Sequence, residues 1–130
     1  MNQLIYISTA AGDVSAAERD AILRVSQRNN ARDGITGVLL FNGRRFLQAL
    51  EGEQRLVQAA YDRIKADTRH RAIVLLSTRD IAAREFGEWA MAAPGGDEAE
   101  TLVGRIDRLT ANAGESTRAH FMSYAAIGPL

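Results

Sequence analysis

The segment Gly34–Gly52, GITGVLLFNGRRFLQALEG, predicts a β-hairpin at the centre of the fold. Its Asn42-Gly43 pair is the strongest short-range hairpin signal, because a tight type I′ turn needs residues that tolerate positive φ. Apolar runs lie on both sides of this pair. The segment therefore predicts two antiparallel strands, Ile35–Phe41 and Arg44–Leu50.

Gln48 is the unusual residue of this hairpin. In a strand it shares one face with Phe46 and Leu50, while Leu47 and Ala49 lie on the other face. Both faces are largely apolar, which predicts a strand that is buried on both sides. A buried amide without hydrogen-bond partners costs about 1–3 kcal/mol. Either the fold or a ligand must therefore supply partners to Gln48.

The flanking sequence predicts further strands and helices. Ser15 followed three residues later by a glutamate is a capping box, which predicts that a helix begins there. The continuous apolar run of Ala72–Ser77 predicts a strand at the centre of the sheet. The other predicted elements are a strand over Gln3–Thr9, a helix over Glu53–Ala66 and a last strand over Glu88–Ala92.

The predicted order, β-α-β-β-α-β-β, is typical of a ferredoxin-like α+β fold with both helices on one face of the sheet. Pro94 and the two glycines after it interrupt the pattern. Asp97–Ala113 and Ser116–Ala126 then predict two more helices, which we expect to cover the other face. The predicted organisation is a core of residues 1–94 and a C-terminal helical cap of residues 95–130.

Composition argues against several classes of function. The 130 residues carry 16 Lys+Arg and 16 Asp+Glu, so the net charge is zero. The composition therefore gives no sign of the excess positive charge that binding to nucleic acid or an anionic membrane needs. The absence of cysteine excludes a disulfide framework, a thiol nucleophile and a zinc-thiolate site, and two histidines are few ligands for a metal site. With neither a signal peptide nor a membrane-length apolar run, we expect a cytoplasmic protein.

Polar side chains recur on surfaces that are predicted to face the space between the sheet and the first two helices. Such hydrogen-bonding capacity in an apolar cleft fits a ligand with carbonyl and imide groups on a broad apolar body, such as a flavin ring. These residues are Tyr6, Ser26, Asn29, Asn30, Gln48, Arg63 and Asp67.

Most of these residues also have a purely structural interpretation. Asn29 and Asn30 near a helix end are usually C-cap residues, because asparagine tolerates left-handed geometry. Arg63 and Asp67 at i, i+4 usually form a surface salt bridge of low value. Ser26 can bond to its own helix backbone. Tyr6 can be a core residue, whereas Gln48 has no easy structural interpretation.

At these residues the chain resembles a BLUF domain, a flavin-binding sensor of blue light, of the short stand-alone type. The resemblance covers residues 1 to about 94, in the segments LIYIS, SQRNNARDGITGVLLFNGRRFLQALEG, DTRHR and FGEWAM. It is specific because Tyr6, Asn30 and Gln48 each lie in their usual context. The two C-terminal helices resemble the cap of short family members.

The resemblance implies a role for each matching residue. Tyr6 matches the tyrosine that donates an electron and a proton to the excited flavin. Gln48 matches the glutamine that bridges this tyrosine and the flavin N5/O4 edge, and whose rotation or tautomerisation shifts the absorption to the red. Trp89 and Met91 match the pair on the last strand that relays the signal. Ring contacts are implied for Asn29, Asn30, Arg63 and Asp67, and tail contacts for Arg28, Arg69 or His70. Ser26 matches a polar neighbour of the glutamine within the flavin-binding site.

The implied function is a blue-light photoreceptor that binds FAD or FMN non-covalently and is not an enzyme. The sequence shows no output domain, so the resemblance implies a separate protein partner or a change in self-association, and we expect a homodimer. The cap surface around Phe121, Met122 and Tyr124 is a candidate contact. The alternative is that these side chains simply pack on the sheet.

Other functions on such a fold fit the sequence less well. An acylphosphatase-like hydrolase needs an anion-binding loop after the first strand, but TAAGDVSAAE has no arginine before Arg19. A flavin reductase needs a nicotinamide site, which is not visible, and an RNA-binding module needs exposed aromatic residues and a basic surface. A flavin-free protein-interaction module remains the main alternative, and it would make the combination of Tyr6, Asn30 and Gln48 a coincidence.

Overall fold

A computed structural model describes residues 1–12, 15–86 and 102–127 of the chain. Within these ranges the backbone forms an α+β fold, which confirms the predicted ferredoxin-like class. The strand predicted over Glu88–Ala92, with Trp89 and Met91, lies outside the described residues. The described elements are β1 (Asn2–Ala10), α1 (Ala16–Asp33), β2 (Thr36–Phe41), β3 (Arg45–Gly52), α2 (Gln54–Ala66), β4 (His70–Asp80), α3 (Leu102–Leu109) and α4 (Glu115–Ile127).

The described strands form one antiparallel sheet in the order β2-β3-β1-β4. The predicted hairpin is therefore the β2-β3 pair, and β1 and β3 lie side by side in the middle. β4 was expected to be central, but among the described strands it pairs with β1 alone and lies at the edge. Its Val74 and Leu75 are 52% and 44% exposed. An apolar run shows what a strand is made of, but it does not determine which strands lie beside it.

Local signals set the ends of α1. The Ser15 side chain accepts a hydrogen bond from the backbone N–H of Glu18 at 3.1 Å, as the capping box predicts. At the other end Gly34 adopts left-handed geometry with φ 67°, which glycine allows without a steric penalty. The backbone N–H of Ile35 then donates to the carbonyl of Asn30 at 2.8 Å. These contacts fix Asn30 in the last turn of the helix.

The two faces of the sheet carry separate apolar cores. On one face α1 and α2 pack over Leu4, Phe46 and Leu50. The buried face of α2 includes Val57 and Tyr61, which the sequence analysis did not place there. No helix in the described ranges is long and apolar enough to cross a bilayer.

α3 and α4 cover the opposite face of the sheet, as predicted. Ile5 and Leu47 pack there in one cluster with Ile106 of α3 and with Phe121 and Tyr124 of α4. Because Phe121 and Tyr124 are fully buried, the partner surface expected around them is wrong. They form the underside of the cap, and the packing alternative is correct.

Gly37 allows the close approach of β2 to β3. Its φ is 156°, and a Cβ built on it would lie 1.9 Å from the carbonyl oxygen of Ala49. Real atoms do not approach so closely, so a larger residue would force the two strands apart. Gly43 in the hairpin turn also has a positive φ of 97°, but a Cβ there would meet no atom within 4 Å.

Gly37→Ala should therefore lower the free energy of unfolding more than Gly43→Ala does. The difference should be roughly 1–3 kcal/mol, the usual cost of overpacking, because both variants share the cost of an unfavourable φ and only Gly37→Ala adds the clash. Urea unfolding of both variants measures it. Equal destabilisation by the two substitutions would contradict the close approach at Gly37.

Candidate functional site

A cleft of about 240 Å³ lies between the sheet and helices α1 and α2. Its apolar lining includes Ile22, Leu39 and Ile64. The structure also brings together in this cleft all seven polar residues that the sequence analysis placed around a ligand. They are Tyr6, Ser26, Asn29, Asn30, Gln48, Arg63 and Asp67.

Tyr6 and Gln48 form a buried hydrogen bond at the base of the cleft. They are direct neighbours across β1 and β3, so their side chains project from the same face of the sheet. Tyr6 Oη donates to Gln48 Oε1 at 2.5 Å. The two residues are only 1% and 2% exposed. Tyr6 is thus one of the partners that a buried Gln48 requires.

The surroundings of Tyr6 keep its hydroxyl protonated. Burial raises the pKa of Tyr6 far above its ordinary value, and the nearby Tyr61 and Asp67 raise it further. The ring of Tyr61 lies 5.6 Å from that of Tyr6, measured between centroids. Tyr6 therefore remains a neutral phenol with a proton to donate.

Asn30 brings an unsatisfied donor to the cleft. It is 4% exposed, and its side-chain Nδ2 has no hydrogen-bond partner among the described parts of the chain. The structural alternative, a C-cap role, does not hold for Asn30, because Gly34 takes the left-handed position at the end of α1. A buried amide N–H without an acceptor costs about 1–3 kcal/mol, which a ligand carbonyl in the cleft would offset.

Arg63 and Asp67 line the cleft, but they are not the ion pair that their spacing suggests. Arg63 Nη2 lies 3.4 Å from Asp33 Oδ2, and Asp67 Oδ2 accepts from Arg69 Nη2 at 2.6 Å. The reason is that α2 ends at Ala66, so Asp67 has extended backbone and turns toward Arg69. The hydrogen bond from Arg69 holds the pKa of the Asp67 carboxyl below its usual value.

Of the three residues considered for a ligand tail, Arg69 and His70 line the cleft, whereas Arg28 is exposed and is not part of the lining. His70 Nδ1 is hydrogen-bonded to Ser8 Oγ at 2.8 Å. Burial lowers the pKa of His70, so a neutral imidazole is favoured. Ser8 was not among the predicted site residues, although its position two residues after Tyr6 places it on the same face of β1.

The chemistry of the cleft fits a flavin. A flavin ring has broad apolar faces, which suit the apolar lining, and an edge of carbonyl and imide groups, which suits the amides of Asn30 and Gln48. The orphaned Asn30 Nδ2 is a donor of the kind that such a carbonyl needs. Arg69, which is paired with Asp67, and His70 add polar groups to the lining of the cleft.

Comparisons with known proteins identify the family of the chain. The model of the BLUF family, described as sensors of blue light using FAD, matches residues 1–92. The blue light- and temperature-regulated antirepressor BluF of Escherichia coli K12 is 36% identical over 91 residues, which is 70% of this chain and 23% of that protein. Photoactivated adenylate cyclase subunit beta of Euglena longa is 34% identical over 94 residues, 72% of this chain and 11% of that one. The chain thus spans less than a quarter of the length of these relatives.

Solved structures include similar proteins of greater and of comparable length. Klebsiella pneumoniae BlrP1 with FMN and cyclic diGMP has a TM-score of 0.80 and 28% identity, over 96% of this chain and 34% of that one. The dark-state structure of BlrB, a BLUF protein, has a TM-score of 0.75 and 32% identity, over 97% of this chain and 96% of the other. The match of the family model over most of the chain and these likenesses show that this protein belongs to the BLUF family of flavin-binding blue-light sensors.

Proposed function

We propose that this protein is a blue-light photoreceptor in which the Tyr6–Gln48 hydrogen bond is the switch. The observation that carries the proposal is the buried 2.5 Å contact between Tyr6 Oη and Gln48 Oε1 in the cleft. The protein itself is a sensor and not an enzyme, in keeping with a family model for sensors over residues 1–92.

Asn30 and Gln48 would hold the polar edge of the flavin, with Ser26, Asn29, Arg63 and Asp67 around the ring. All six line the cleft, and the unsatisfied Nδ2 of Asn30 supports this placement. When bound without a covalent link, the flavin, FAD or FMN, supplies the absorption of blue light and an acceptor for an electron.

Gln48 can act as a switch because its amide has two different ends. Its oxygen accepts hydrogen bonds and its NH₂ group donates them, while a tyrosine hydroxyl does both. In the described arrangement Tyr6 donates to Gln48. Reversal of the amide would make Gln48 the donor and Tyr6 the acceptor. The buried pair therefore has two hydrogen-bonded arrangements, which is the bistable element that a signalling switch requires.

The output of the sensor is proposed to reach a separate protein. The similar proteins include an antirepressor and photoactivated cyclase subunits, which supports signalling as the role of the region they share with this chain. We propose a flavin-binding core of residues 1–94 and a cap of 95–130, because the family model ends at residue 92 and α3 and α4 pack on the face opposite the cleft. The homodimer and the relay through Trp89 and Met91 stay predictions.

Gln48→Leu should bind flavin but lose the red shift completely, because leucine fills the space without a hydrogen-bonding group. Absorption spectra before and just after blue light measure both properties. Gln58→Leu is the matched control, since Gln58 is an exposed glutamine on α2, and it should shift like the wild type. A normal shift in Gln48→Leu would contradict the switch assignment.

Tyr6→Phe should also bind flavin and fail to form the normal red-shifted state, because the substitution removes only Oη, the donor to Gln48. The same absorption measurement applies. Tyr61→Phe, which removes the hydroxyl of the neighbouring buried tyrosine, should keep the shift. A wild-type photocycle in Tyr6→Phe would remove Tyr6 from the mechanism, and absence of flavin from every variant and the wild type would favour an interaction module.

A further inference from the structure

A second polar pair joins β1 and β3 on the face opposite the cleft. Gln3 is the register neighbour of Glu51, just as Tyr6 is of Gln48. The two pairs lie three residues apart along each strand, about 10 Å at 3.3–3.4 Å per residue. Because successive residues of a strand alternate between faces, Gln3 and Glu51 face the cap. Gln3 Nε2 lies 3.4 Å from Glu51 Oε2, and both residues are fully buried.

Glu51 ties the segment after β4 to the sheet. Its carboxylate accepts from the backbone N–H groups of Glu85 and Phe86 at 2.8 and 3.1 Å. It also accepts from Thr36 Oγ1 of β2 at 3.2 Å. With Gln3 this makes four donors from three parts of the chain around one buried carboxyl group. The position of Glu85 thus depends on Glu51.

The Glu85 side chain in turn holds the first turn of α4. It accepts from the backbone N–H of Gly114 at 2.8 Å and from Thr117 Oγ1 at 2.7 Å. The free N–H groups and the positive end of the helix dipole favour a carboxylate at this position. Gln3 Nε2 donates to the same carboxylate at 2.9 Å, and Arg79 forms an ion pair with it.

The hydrogen bonds and the ion pair of Glu85 outweigh the cost of burying its negative charge. Burial alone would raise the pKa of Glu85, but the hydrogen bonds from Thr117, Gly114 and Gln3, with the charge of Arg79, hold it below its usual value. Arg79 also donates to Gln3 Oε1 at 3.0 Å and to Thr117 Oγ1 at 2.9 Å. The side chains of β1, β4 and α4 therefore share one connected network around Glu85.

We propose that Gln3, Glu51, Arg79, Glu85 and Thr117 form a polar joint through which the sheet holds the first turn of α4, and that light opens this joint. The proposal rests on the proposed function, in which the Tyr6–Gln48 pair rearranges. Both pairs bridge the same two strands, so a displacement of β1 relative to β3 that accompanies rearrangement at Tyr6–Gln48 also changes the contact between Gln3 and Glu51. Through the joint, that displacement releases the first turn of α4.

The other end of α4 is anchored separately. Tyr124 Oη donates to the carbonyl of Arg45 at the start of β3 at 2.8 Å. Opening the joint should therefore loosen the first turn of α4 and leave its last turn in place. This asymmetry separates release at the joint from general loss of the cap.

Hydrogen exchange of the full chain, with flavin bound, tests the joint. In the dark, Thr117→Val should speed exchange of the Gly114 and Arg118 amides on the order of tenfold, because it removes hydrogen bonds to a charged group. Thr117→Ser, which keeps the hydroxyl, should exchange like the wild type. Tyr124→Phe should speed exchange at the last turn of α4 but not at Gly114 or Arg118.

Blue light should speed exchange of the same two amides in the wild type, while the red shift of the flavin is recorded in the same sample. A red shift without faster exchange at Gly114 and Arg118 would overturn the joint and leave the proposed function intact. Dark exchange in Thr117→Val equal to that of the wild type would also overturn it. A wild-type protein that binds flavin and shows no red shift would overturn both proposals.

Discussion

The proposed function of this protein depends on one interaction, the hydrogen bond between Tyr6 and Gln48. It lies between two neighbouring central strands, with both residues buried. A glutamine at that position would be a liability in an ordinary core, because its amide needs partners on an apolar face. Tyr6 supplies one, and its high pKa keeps the proton on the phenol. The fold thus holds a hydrogen-bonded polar pair in a part of the core where most proteins have only apolar side chains.

The same two strands connect the two faces of the sheet. Tyr6 and Gln48 face the cleft under α1 and α2, while Gln3 and Glu51 face the cap. A strand cannot shift on one face alone, because both sets of side chains share one backbone. The polar network around Glu85 then reaches the first turn of α4. This arrangement offers a physical route from a switch on one face to a helix on the other.

Much of this architecture could be predicted because it depends on local chemistry. Asn42-Gly43, the Ser15 capping box and the alternation around Gln48 are local signals, and the predicted hairpin, helix cap and strand are present. The turn itself is not the expected type I′, because Gly43 has a positive φ but Asn42 does not. The resemblance of the chain to a known family indicated which polar residues belong to the site. The described cleft brings those polar residues together. The ion-pair partners of Arg63 and Asp67 could not be predicted from their spacing. Asp67 turns to Arg69 because α2 ends at Ala66, and Arg63 meets Asp33, the last residue of α1, only through the packing of the two helices.

Other features depend on contacts between distant parts of the chain. Among the described strands β4 lies at the edge because of the strand order, and the burial of Phe121 follows from how α4 lies on the sheet.

The absorption spectrum of the purified protein, in the dark and just after blue light, tests the Tyr6–Gln48 switch most directly. We expect a flavin spectrum that moves slightly to the red and recovers in the dark. A bound flavin that does not shift, or a protein that does not take up flavin, would contradict it.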